Sequence, residues 1–217
     1  MSNKAVFFDL DGTLIDTAPD LALSLNILLK KYNQPLVPYA ITRNESSNGA
    51  KGLVSTGFKK TSDKLIKNFL DIYKTNICVN SRVFPSINNL LVNLNKRNIK
   101  WGIITNKPRK FTEPLLSSLD IKIPPDIVIC GDDLEKRKPH PMPIIHAMKK
   151  LNLSNNNCVY VGDALRDIQA GNSARVKTIA VKYGYIKNTD NPSNWGADII
   201  INRPFNIFDG IKKIGFL

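Results

Sequence analysis

The chain has 217 residues, with 31 Lys and Arg against 18 Asp and Glu, for a formal charge of +13. That length supports one well-buried core and a small second unit, and an ordinary apolar and charged content excludes a disordered or fibrous chain. The basic excess is scattered as pairs such as Lys30-Lys31, Lys59-Lys60, Lys149-Lys150 and Lys212-Lys213. Such a surface attracts small anions, and without a longer basic run no nucleic-acid partner is expected. Cys78, Cys130 and Cys158 are odd in number, far apart and set beside apolar residues. They are expected as buried free thiols in a reducing cytoplasm, not as a disulfide frame or a metal site. The opening residues lack a charged-then-apolar leader pattern, and "LALSLNILL" (21–29) is too short to span a bilayer. A cytoplasmic protein without a membrane partner is expected, as a monomer or a homodimer.

In chain order, the apolar run "AVFFD" (5–9) predicts a first buried strand. The stretch 17–79 then shows only helical patterns, at 19–32, 40–45, 50–58 and 62–78. In the last of these Leu65, Ile66, Phe69, Leu70, Tyr73 and Ile77 fall on one face. A helical block inserted after the first strand predicts a small all-helical cap over 17–79. The core then comprises 1–16 and 80–217, joined through linkers near 15–18 and at "NSRVFPSI" (80–87). From there strands at 101–105, 126–130, 158–163, 177–181 and 197–201 are expected. Helical segments lie at 86–98, 110–119, 142–151 and 165–174. Alternation of this kind predicts an α/β fold with a doubly wound, Rossmann-like parallel sheet.

Ligands of such sheets bind beyond the carboxyl ends of the strands. Those ends carry Asp9 with Asp11, then Thr105-Asn106, then Gly162-Asp163 with Asp167 four residues on, while Lys138 lies in the "RKPHP" loop. Several carboxylates at one rim repel unless a hard cation sits among them, and oxygen ligands with room for water suit Mg2+. A site of that sort calls for an anionic substrate such as a phosphate ester. Asp9 is placed to act as nucleophile and Asp11 as acid and base. Gly12 permits a tight turn, and the N–H groups around 10–12 can cradle an anion. Thr105 can donate to a phosphoryl oxygen and Lys138 can neutralise charge. The plainer readings are turn roles for Asp9, Asp11 and Thr105, a surface site for Lys138 and a first-turn helix acid for Asp167. Arg43 is as readily a surface ion-pair partner as a grip for a substrate carboxylate. His140 and His146 have no nucleophile in evident reach, and Ser46 and Ser47 lack a Gly-x-Ser-x-Gly setting.

"DLDGT" (9–13), "TN" (105–106), "KP" (138–139) and "GDALRD" (162–167) stand in the order of the four motifs of the haloacid dehalogenase-like hydrolases, which the whole chain resembles. The resemblance implies a Mg2+-dependent phosphatase working through an aspartyl-phosphate. It assigns Asp9 as nucleophile, Asp11 as acid/base, and Thr105 and Lys138 to the phosphate. The metal would be met by Asp9, Asp163 and the Asp11 backbone carbonyl, with Asp167 directly or through water. Thr13, Asn106 and Lys107 would face the substrate, together with Arg43, Asn48 and Gly49 of the cap segment "RNESSNGAKGLV" (43–54). Stretches 105–116, 131–144 and 160–171 resemble the phosphoglycolate phosphatase group, so 2-phosphoglycolate is the first expected substrate. Ser47 and Ala164 depart from that group toward the N-acetylmuramic acid 6-phosphate phosphatases. A sugar phosphomutase would share all four motifs. A dehalogenase would not need Asp11, and a non-catalytic binding module would not need every motif acid.

Overall fold

Four consecutive apolar residues, Ala5–Phe8, form β1 and are buried on both faces, as a central parallel strand requires. The computed structural model describes residues 3–187 and 189–217. After β1 come β2 (Ile15–Asp16), the helices α1 (Ala18–Lys31), α2 (Tyr39–Glu45), α3 (Gly49–Ser55) and α4 (Asp63–Thr75), and β3 (Arg82–Val83). The chain continues through α5 (Ile87–Asn95), β4 (Lys100–Ile104), α6 (Arg109–Ser117), β5 (Ile127–Ile129) and α7 (Met142–Lys150). It ends with β6 (Cys158–Gly162), α8 (Leu165–Ser173), β7 (Lys177–Val181), β8 (Ile199–Ile201) and α9 (Ile207–Lys213).

Six strands make one parallel sheet in the order β5-β4-β1-β6-β7-β8. Strand order reverses beside β1, so its carboxyl end is the switch point at which a doubly wound sheet opens a crevice. Alternate residues feed two cores. Val6, Phe8, Trp101, Ile103 and Val161 pack against α5 and α9, while Phe7, Ile104 and Tyr160 pack against α7 and α8. The expected Rossmann-like α/β architecture is the one observed.

The helices α1–α4 share a separate apolar cluster of Leu25, Leu28, Leu53, Val54, Phe69 and Tyr73, which Phe111 of α6 joins from the sheet side. The stretches expected as plain linkers instead pair as an antiparallel ribbon, Ile15 with Val83 and Asp16 with Arg82. Two residues are too few for a period to register in sequence. Buried Asp20 fastens the same crossing by accepting from the Asn80 and Ser81 amides at 2.7 and 3.0 Å and the Ser81 hydroxyl at 2.6 Å. Helix α9 was not among the expected elements, and α3 and α4 stop three residues short of their expected ends. Cys130 and Cys158 are buried free thiols, but Cys78 is only half-buried because it sits in the turn after α4 with φ +63°. Among the described residues no helix is long and apolar enough to cross a membrane.

Candidate active site

The ladder hydrogen bonds of the sheet run one residue past the strands and fix Asp9 and Thr105 at their ends. The Asp9 amide donates to the Val161 carbonyl and the Thr105 amide to the Ile129 carbonyl, both at 2.9 Å. Asp9, Asp163 and Asp167, all buried, thereby bring carboxylate oxygens within 4.8 Å of one another. Burial pushes the Asp9 carboxyl up to about 6, against the pull of Lys138, and the neighbouring Asp167 adds to the rise. Burial and then the charges of Asp9 and Asp167 push Asp163 up to about 7. Three buried oxygen donors in mutual repulsion fit a hard divalent cation, which would offset the charge.

Lys138 is wholly buried, with its Nζ 2.8 Å from each of Asp9 Oδ1, the Ile104 carbonyl, the Tyr160 hydroxyl and Asp167 Oδ1. Burial alone would favour the neutral amine, but Asp167 and Asp9 outweigh it and hold the ammonium form. Asn106, expected to face substrate, clamps the Lys138 backbone instead. Its Oδ1 accepts from the Lys138 amide at 3.1 Å and its Nδ2 donates to the Lys138 carbonyl at 2.9 Å. Asp167 pairs with Lys138 through Oδ1 and accepts the Ala164 amide at 3.0 Å through Oδ2. It therefore stands behind Asp9 as a support for the lysine as well as a member of the acidic cluster.

Asp163 is held by two donors and closely packed by two glycines. Thr13 Oγ1 donates to it at 3.2 Å and the Tyr185 amide at 2.7 Å. A Cβ on Gly12 would come 2.2 Å from Asp163 Oδ2, and one on Gly184 would come 2.2 Å from the Asp163 Cβ. Gly12 also has φ +83°, so glycine is required there for conformation as well as space. Thr13, expected at the substrate, is buried and serves the carboxylate.

The Asp11 side chain lies outside the acidic cluster. Its Oδ1 accepts from Thr17 Oγ1 at 2.6 Å and from Lys107 Nζ at 3.0 Å. Lys107 also donates to the Tyr73 hydroxyl of α4 at 2.8 Å, so it is not free for substrate as expected. Thr105 Oγ1 accepts the Lys107 amide at 3.1 Å, which leaves its own proton available to an oxyanion. Arg43 neither grips an open cavity nor pairs on the surface. It donates to the Tyr183 carbonyl at 2.7 Å and lies 5.2 Å from the centre of the Tyr185 ring. Asn48 donates to Glu45 at 2.7 Å, and Gly49, with φ +67°, supplies the turn into α3.

Two cavities flank the turn at 46–48. One of about 230 Å3 is walled by Asp11, Ser46, Tyr73, Lys107, Phe111 and Arg137. The other, of about 310 Å3, is reached by Asp163, Asn48 and Tyr185. The site brings together Asp9, Thr105, Lys138, Asp163 and Asp167, with Asp11 at the lip. Sequence reading missed Tyr160 and Tyr185. Tyr160 donates to the Ile104 carbonyl while accepting from Lys138, and the Tyr185 hydroxyl accepts the Thr17 and Ala18 amides at 2.6 and 2.9 Å. A tyrosine inside an otherwise aliphatic buried strand was the one available signal for Tyr160, since its hydroxyl needs a partner.

The family profile described as "Haloacid dehalogenase-like hydrolase" matches residues 6–181. A relative from Pseudomonas putida named N-acetylmuramic acid 6-phosphate phosphatase is 39% identical over 212 residues, covering 95% of each chain. One from Xanthomonas campestris named phosphoglycolate phosphatase is 32% identical over 210 residues, again 95% of each. A crystal structure described as a predicted phosphoglycolate phosphatase from Haemophilus somnus superposes with a TM-score of 0.86. It is 29% identical and the match covers 96% of this chain and 98% of that one.

Proposed function

The protein belongs to the haloacid dehalogenase-like hydrolases and is a phosphatase, and from that premise we propose a Mg2+-dependent phosphomonoesterase that passes the phosphoryl group through Asp9. The observation that carries this reading is the Asp9 carboxylate, rigidly mounted at the end of the central strand with the Lys138 ammonium 2.8 Å away. Asp9 and Asp163, with the backbone carbonyl of Asp11, would hold the ion, and Asp167 would back them. When bound, the cation neutralises the carboxylates and polarises the phosphoryl oxygens.

Asp9 attacks phosphorus as the ester P–O bond breaks, and Asp11 gives its proton to the departing alcohol oxygen. Asp11 then takes a proton from water, whose oxygen attacks the phosphorus of the acyl phosphate. Phosphate leaves and the Asp9 carboxylate is restored. Lys138 and the Thr105 hydroxyl stabilise the phosphoryl oxygens throughout, while Asn106 and Tyr160 keep Lys138 aimed. Thr17 and Lys107 hold the Asp11 carboxyl at the lip, between the acidic cluster and the 230 Å3 cavity.

The substrate we infer is N-acetylmuramic acid 6-phosphate. The support is the higher identity of the relative of that name, the 310 Å3 cavity with room for more than a two-carbon acid, and Ser47 and Ala164 in the sequence. 2-Phosphoglycolate, which sequence reading placed first, is the second reading and rests on the Xanthomonas relative. Phosphate release from these two esters and from hexose 6-phosphates, ranked by kcat/KM with Mg2+, tests the assignment. N-acetylmuramic acid 6-phosphate should lead by at least tenfold, and a flat ranking would overturn it.

A further inference from the structure

The 310 Å3 cavity gathers polar side chains that the protein itself leaves unsatisfied. Ser47 Oγ is buried there without a hydrogen-bond partner. Arg166, in the first turn of α8, lines the same space half-buried. Among the described residues it makes no hydrogen bond and no ion pair. The acidic cluster acts on it only through space, holding its charge against burial. The Arg166 guanidinium is therefore free to take an acceptor from a ligand, whereas Arg43 of the cap segment is already engaged with Tyr183 and Tyr185. Lys187, paired with Glu45, adds positive charge at the rim. Asp190 is occupied by the Trp195 indole N–H at 2.8 Å. Asn44, Asn48 and Gln169 add neutral amides, and the Asp163 carboxylate also lines the cavity, held there by Thr13 and the Tyr185 amide. Lys138 does not line this cavity but Asp163 does, so the space around Arg166 adjoins the acidic cluster.

The geometry points to a carboxylate subsite in which Arg166 receives a carboxylate on the alcohol half of the substrate. This rests on the phosphomonoesterase reading and narrows it to esters whose leaving group is itself an acid. The guanidinium fork matches a carboxylate at two points, which a single ammonium cannot do. A leaving group without the acid would cover Arg166 and displace water from its guanidinium without supplying an acceptor in return. Discrimination therefore comes from the cost of the wrong substrate as much as from attraction to the right one.

Matched pairs test this directly. N-Acetylmuramic acid 6-phosphate differs from N-acetylglucosamine 6-phosphate only by its lactyl ether, and 2-phosphoglycolate differs from 2-hydroxyethyl phosphate by its carboxylate. The native protein should prefer the acid in at least one pair, mainly through KM. In Arg166→Gln that preference should shrink roughly 10- to 100-fold, the scale of a lost charge-assisted bidentate contact, with Arg166→Lys recovering part of it. A preference unchanged within about twofold, or no preference in the native protein, overturns the subsite. An equal loss on both members of each pair does the same, since it marks Arg166 as support for the fold. Calorimetry with N-acetylmuramate, which has the acid and no phosphoryl group, gives a readout independent of turnover. It should bind the native protein and lose affinity for Arg166→Gln at least tenfold, and equal affinities overturn the subsite. If the native protein released phosphate from no ester, the phosphomonoesterase reading would fall while the calorimetry still decided Arg166.

Discussion

Lys107 and Tyr73 meet across the boundary between the sheet and the inserted helices, with Nζ 2.8 Å from the hydroxyl oxygen and 4.7 Å from the ring centre. The same ammonium holds Asp11, so the docking of α4 and the position of that carboxyl share one side chain. Tyr73→Phe keeps the aromatic packing on Phe69 and Phe111 and deletes only the hydroxyl. The cost should be about 1 kcal/mol, the net worth of a buried hydrogen bond. Amide exchange in α4 should quicken, and unchanged exchange would mean the aromatic contacts alone hold that helix.

Asp9→Asn should abolish phosphate release, and Asp11→Asn should reduce it at least 100-fold by removing proton transfer. Rapid-quench trapping of phosphorylated protein separates the two, because only the Asp11 variant retains the acceptor. Sustained turnover in the Asp9 variant would rule out the covalent route.

Tyr160→Phe leaves the Ile104 carbonyl with Lys138 as its remaining donor and removes one of the four oxygens around the ammonium. We expect a stability loss of about 1–2 kcal/mol and a fall in kcat larger than any change in KM, since Lys138 acts on charge that grows in the transition state. Denaturant unfolding and steady-state kinetics measure both.

Gly184→Ala puts a Cβ 2.2 Å from the Asp163 Cβ and 2.3 Å from its Oδ2, so the carboxylate must move. The concentration of Mg2+ giving half-maximal activity should rise tenfold or more. Circular dichroism should remain that of the native fold, as the loop is anchored at Tyr185.

The raised carboxyls make stability depend on pH when metal is chelated. Asp9 and Asp163 keep their protons in the folded state up to about 6 and 7, whereas in the unfolded chain they ionise near 4. The folded state therefore binds more protons over that window, and stability falls as pH rises from about 4 to 7. A loss on the order of a few kcal/mol is expected. Thermal unfolding with a chelator should show a lower Tm at pH 8 than at pH 5, and Mg2+ should raise Tm more at pH 8. A Tm that rose with pH under chelation would contradict the electrostatics of the cluster.

The strands and the acids at their carboxyl ends were legible because both depend on local pattern. A buried parallel strand is a continuous apolar run, and Asp9, Thr105 and Asp163 sit where such runs end. Partnerships were not legible, because they form between residues distant in the chain. Lys107 could be read as a cation near the phosphate, but its binding to Asp11 and Tyr73 spans 96 and 34 residues. Asn106 likewise looked like a substrate contact until the Lys138 loop folded back onto it. Arg43 and Arg166 carry equal charge in sequence, and only the loop of Tyr183 and Tyr185 decides which guanidinium is already engaged.

The short ribbon of β2 and β3, stapled by Asp20, also bears on how the chain finds its fold. Pairing Ala5 with Lys100 joins residues 95 apart, an expensive loop to close. Once the intervening helices have gathered and the ribbon has brought Asp16 beside Arg82, the effective loop is roughly a third as long, which lowers the closure entropy by about 1 kcal/mol. Weakening the ribbon, for instance by Asp20→Asn, should then slow folding as well as destabilise the product.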